Sequence, residues 1–184
     1  MNRTFSSVYR FLLLATVLPS IVSAGDVLPT IGGGQVTVMT GAPMKHIGIS
    51  FDGTNIEAHL DELVGTPMLR SLVAPDTFNA GEAWSVLSEK HHNFQHGWVP
   101  EGIWSPPTGS AVWIEAIASS SDLEVYEGGR FMSEATIRAM TFDPIFGTAG
   151  SGDIWKWGGV MTHNAYAVTN PMMPEYFATY RVYL

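Results

Sequence analysis

From Gly33 onward the chain breaks into short alternating or apolar runs, each closed by a turn signal, and that spacing restricts it to an all-β architecture. Residues 35–39 (QVTVM) and 46–51 alternate, and residues 55–60 follow the turn signal Asp52-Gly53. Residues 111–118 (AVWIEAIA) and 123–126 are split by Ser119-Ser120-Ser121, and residues 160–168 and 177–184 by Asn170-Pro171 and Pro174. Several short strands in this arrangement predict an antiparallel sandwich or a jelly-roll-like domain. One or two short helices complete the expectation. Residues 80–90 carry Asn79 and Glu82 in capping-box positions, although Gly81 opposes a helix there, and residues 134–140 form the shorter candidate. The C-terminal Tyr180-Arg181-Val182-Tyr183-Leu184 reads as strand, so the chain end is expected to dock in a sheet.

The first residues point to export. Arg3 and Arg10 precede an apolar run over residues 11–22, broken only by Thr16, Pro19 and Ser20, and Val22-Ser23-Ala24 supplies a small-residue cleavage site. This three-part layout is that of a secretory signal peptide, and the run is short for a membrane span of about 20 residues. The expected organisation is therefore a signal peptide over residues 1–24 and one β-rich metal-binding domain over residues 25–184. A domain of about 160 residues is large enough to bury its own core. No later segment resembles a membrane span, so the mature chain is expected to be secreted, periplasmic or attached to the outer surface.

Charge and cysteine content narrow the partners. Residues 1–24 hold two arginines and no acid, so their removal takes the formal charge from −8 to −10. An acidic surface without a basic stripe argues against nucleic acid. Cysteine is absent, so a soft metal site must be built from methionine, histidine or a modified aromatic ring.

Three histidine features stand out. In the segment around Asp52-Gly53, a two-residue type I′ turn would set His46 opposite His59, with Cβ atoms about 4.5–5.5 Å apart. A four-residue loop would leave both on one face but diagonal. Met44-Lys45-His46 places a thioether and an imidazole on one side of a strand, a spacing repeated at Met161-Thr162-His163. His91-His92-Asn93-Phe94-Gln95-His96-Gly97-Trp98 packs three histidines into six residues. Against each stands a plainer reading: polar residues on a solvated face, a core methionine beside a surface histidine, a hydrated loop. Motifs of hydrolases, zinc proteases and nucleotide-binding loops are missing, as is any readable acid–base pair, so the chain is expected not to be an enzyme.

A Trp-rich β domain behind a signal peptide, with Met44-Lys45-His46 and Gln95-His96-Gly97-Trp98, resembles the copper-repressible, surface-associated copper-binding proteins of methane-oxidising bacteria (the CorA/MopE type). The resemblance implies a β-rich protein of copper acquisition that holds one Cu(I) with two histidines and a kynurenine, formed from a tryptophan two positions before the first histidine. His46 would match the first histidine and His96 the second. Met44 stands where that tryptophan would be, which departs from the kynurenine chemistry but leaves a thioether as a soft ligand. Tyr126-Glu127-Gly128-Gly129 and Met161-Thr162-His163-Asn164-Ala165-Tyr166 also look like secreted proteins made under zinc starvation, which would make zinc the metal. The leading expectation is an extracytoplasmic Cu(I)-binding protein with His46, His96, Met44 and His59 as candidate ligands. The alternatives are a zinc protein of metal starvation and a metal-free structural surface module.

Overall fold

The computed structural model describes residues 26–35, 44–130 and 134–184. The expected signal peptide and most of the expected strand over residues 35–39 lie outside them. Among the described residues the chain forms ten strands: β1 (His46–Phe51), β2 (Ile56–Leu60), β3 (His91–Asn93), β4 (Gly97–Pro100), β5 (Val112–Ser119), β6 (Glu124–Gly129), β7 (Pro144–Ile145), β8 (Ile154–Trp157), β9 (Thr162–Val168) and β10 (Ala178–Tyr183). A 3-10 turn (Ala83–Leu87) and a single helical turn, α1 (Glu134–Arg138), are the helical pieces. The expected β-sandwich class is what the chain adopts. Among the described residues no helix is long and apolar enough to cross a membrane.

Seven strands make a large sheet in the order β2-β1-β4-β9-β6-β7, with β3 pairing along β9 beside β4. All its pairs are antiparallel except β1–β4, which run parallel because residues 61–96 cross back before β4 begins. The second sheet is β10-β5-β8. It alternates over the first half of β5 and along β8: Val112, Ile114, Trp155 and Trp157 are buried, while Lys156 and, across from Glu115, Arg181 face outward. Such alternation is the mark of a sheet with one wet face. Arg181 pairs with Glu115 directly across the β10–β5 ladder on the outer side.

The large sheet is covered on both faces, which is why every residue of β9 is buried. On one face Ile49, Trp98, Val125 and Tyr166 pack against Val112, Ile114, Trp155 and Trp157 of the small sheet. On the other, Phe94, Tyr126, Ala165 and Ala167 lie beneath Leu28, Phe78, Trp84, Leu87, Ile137 and Phe142. The 3-10 turn and α1 thus serve to deliver Trp84, Leu87 and Ile137 to this second core. Burying each such side chain stabilises the fold by about 1.5–3 kcal/mol.

The helix expected over residues 80–90 shrinks to one 3-10 turn. Asn79 accepts the Gly81 N–H through its side chain and the Glu82 N–H through its carbonyl, both at 3.0 Å, so the chain turns sharply before a helix can start. Glu82 does not complete a capping box; its carboxylate lies 3.8 Å from Arg138. The β1–β2 connection also differs from a type I′ turn. Phe51 pairs with Ile56, leaving the four-residue loop Asp52–Asn55. Asp52 closes that loop by accepting the Thr54 and Asn55 N–H groups at 2.7 Å, and Gly53 takes the positive φ of +98° that the bend requires.

Candidate functional site

The two sheets do not fill the space between them completely. A cavity of about 480 Å³ opens at the end where β10 approaches β2, beyond the aromatic part of the inter-sheet core. Its walls include Ile47, Leu69, Trp98, Leu123, Tyr166 and Tyr180, with the segment Pro171 to Tyr176 at its rim. The rings interlock: Trp98 meets Tyr180 edge-on at 5.3 Å, and His96 meets Tyr166 edge-on at 6.4 Å.

Several polar atoms of these residues are buried behind the cavity surface. Trp98 Nε1 and the hydroxyls of Tyr166 and Tyr180 are buried without a well-formed hydrogen bond. The two hydroxyls act on each other, and burial pushes Tyr166 up to about 12 and Tyr180 well above the usual phenol value. Both phenols therefore stay protonated at neutral pH. Leaving such a group unsatisfied costs about 1–3 kcal/mol. His96 also lines the cavity, and burial, helped by the charge of Lys45, lowers it to about 4. It is neutral at physiological pH and offers one donor and one acceptor.

Of the histidines proposed from the sequence, His96 and His59 both line the cavity and His46 does not. His96 is in the cavity, on the face of the large sheet that carries Trp98 and Tyr166. His46 lies against His163, ring centroids 5.3 Å apart, and His163 shares β9 with Ala165 and Ala167 of the opposite core. His59 pairs with Gly48 rather than His46, and its Nε2 is 2.8 Å from Glu101. It is thus diagonal to His46, as a four-residue loop requires. Met44 stands just before β1 and is 39 % exposed. His92 is buried within hydrogen-bonding reach of the Lys90 and Gly34 carbonyls, a structural position. Among the described residues no group of three or more His, Asp or Glu side chains is arranged to hold a metal ion.

The cavity was not visible in the sequence. Trp98, Tyr166 and Tyr180 sit on three strands far apart in the chain, and nothing local marks them as neighbours. The partner of His46 had only one sequence signal: Met161-Thr162-His163 repeats the spacing of Met44-Lys45-His46.

No family model and no solved structure matches the chain. Over 106 residues it is 29 % identical to a protein named Diels-Alderase phm7 from Pyrenochaetopsis sp, an alignment covering 46 % of this chain and 28 % of that protein. The chain thus spans less than a third of that relative's length. This likeness to an enzyme overturns the expectation of a protein without catalytic activity, which had rested on missing motifs of hydrolases and phosphate-binding enzymes. Those motifs say nothing of reactions that need no nucleophile, metal or acid–base pair. What the chain resembles, over about half its length, is part of an enzyme named for joining a diene to an alkene.

Proposed function

We propose that this chain holds an apolar, unsaturated small molecule bearing a carbonyl group in the cavity between its sheets and promotes a [4+2] cycloaddition within it. One observation carries the reading. A cavity of about 480 Å³ is walled largely by aromatic and aliphatic side chains, with the ring of His96 among them. That volume falls in the usual range of small-molecule sites, about 300–1,000 Å³. The name of the relative supplies the reaction type.

Such a reaction makes modest demands on side-chain chemistry. A conjugated diene and an alkene join as two carbon–carbon σ bonds form and two π bonds are consumed. No proton, electron or leaving group is exchanged with the protein. Much of the barrier is the entropy of folding a flexible chain until diene and alkene lie face to face, and a rigid, shaped wall removes that cost. A hydrogen bond to a carbonyl conjugated with the alkene withdraws electron density and lowers the barrier further. Neutral His96 can orient the same carbonyl from the side.

Binding is tested with an uncharged environment-sensitive dye such as Nile red, displaced by a linear trienone. Ala58 lines the cavity and is exposed, so Ala58→Trp fills the mouth without disturbing the core. Saturable 1:1 binding by the unmodified protein is expected, with affinity at least about tenfold lower in A58W, a difference of about 1.4 kcal/mol. Equal binding by both proteins would contradict the reading.

A further inference from the structure

On the face of the large sheet turned away from the cavity, three neighbouring strands place His46, Gly97 and His163 in one row. Strands two apart lie roughly 9.5 Å from each other, so side chains from β1 and β9 ordinarily do not meet across β4. Here they do, because position 97 has no side chain. A Cβ there would lie 2.5 Å from His163 Cε1 and 2.9 Å from its Nε2. The His163 ring lies over the glycine and reaches His46, with ring centroids 5.3 Å apart and planes at 61°.

The state of each ring follows from its partners. His163 Nδ1 is 2.9 Å from the Phe94 carbonyl, which can only accept, so Nδ1 carries the hydrogen. In the neutral ring Nε2 is then a bare lone pair. That atom is buried without a hydrogen-bond partner in a residue only 1 % exposed, and His46 Nε2 is buried and unpartnered as well. A ring held by Nδ1–H to a backbone carbonyl, with Nε2 free, is how proteins commonly orient a histidine ligand.

We propose that His46 and His163 form a two-nitrogen site for a soft monovalent cation, Cu(I) by chemistry. Two imidazoles bound through nitrogen at about 2.0 Å to one ion have centroids about 5 to 6 Å apart, from bent to linear coordination. The observed separation lies within that span. Zinc would require about four donors, and the described residues offer no cluster of three. A monovalent ion also leaves less uncompensated charge in a buried place than a divalent one. Asp61, whose charge acts on His46, favours a cation there. The site lies on the opposite face of the sheet from the cavity, so it stands or falls independently of the cycloaddition reading.

Two titrations of the full chain decide it, one with Cu(I) against a chromophoric chelator and one with Ag(I) by calorimetry. One equivalent is expected to bind. Affinity should fall on the order of 100-fold in H46Q, as for loss of an important ligand contact, and stay within about threefold in H96Q and H59Q. H46Q is the informative variant because His46, unlike His163, is only partly buried. Absence of a stoichiometric site, unchanged affinity in H46Q, or loss of binding in H96Q would each overturn the assignment.

Discussion

Histidine burial gives this protein a pH dependence whose sign follows from its residues. His46, His92, His96 and His163 are each held below the ordinary imidazole value, first by desolvation. A group with a lowered folded-state value binds fewer protons than it does in the unfolded chain. Its contribution is present above the unfolded value near 6.5 and is lost as pH falls through the folded value, about 4 for His96. The fold is therefore predicted to weaken steadily from pH 7 toward pH 4. His96 alone accounts for about 2–3 kcal/mol at the bottom of that window. Urea titrations at pH 7 and pH 5 check this: the unmodified protein should lose stability between them, and H96Q should lose less. Equal losses would mean that His96 is not desolvated as described.

Strands and their glycines set which side chains can meet. Gly97 lets His46 and His163 touch, and a Cβ at Gly128 would lie 1.6 Å from the His163 carbonyl oxygen. Gly158 has no positive φ and no atom within 4 Å of a Cβ. Gly97→Ala is accordingly predicted to cost about 1–3 kcal/mol through overpacking, and Gly158→Ala to stay within about 0.5 kcal/mol. Denaturant midpoints of the two variants provide the comparison; equal midpoints would show that the ring over Gly97 can move aside freely. Strands with one wet face were legible in the sequence for the same physical reason. In β5 and β10 alternation records a dry side and a wet side, and the expected ranges 111–118 and 177–184 nearly coincide with them. β9 begins with Thr162, His163 and Asn164, all buried, and no periodicity announces that a polar run will be covered on both faces. β3 and β4 hide in the histidine-rich segment because each has four residues or fewer and leans on β9.

For the whole molecule, the decisive feature is how two sheets of unequal width close on each other. The small sheet seals the inter-sheet core with Val112, Ile114, Trp155 and Trp157, and the remaining gap near β2 and β10 is the cavity. Class and the strands β1, β2, β5, β6, β9 and β10 could be read from turn spacing, which is local, whereas β3, β4, β7 and β8 could not. The cavity could not, because Trp98, Tyr166 and Tyr180 become neighbours only when β4, β9 and β10 are assembled. The histidine sites illustrate the same limit: the spacing of Met44-Lys45-His46 suggested a ligand at His46, yet the ring beside it comes from β9 and not from His96. The proposed function rests on this inter-sheet gap. The most direct test is the intramolecular cycloaddition of a linear trienone, with and without protein, followed by chiral chromatography of the products. The account predicts a faster reaction and one dominant stereoisomer with the unmodified protein, and the uncatalysed mixture with A58W. An unmodified protein that left rate and product ratio at their uncatalysed values would contradict it.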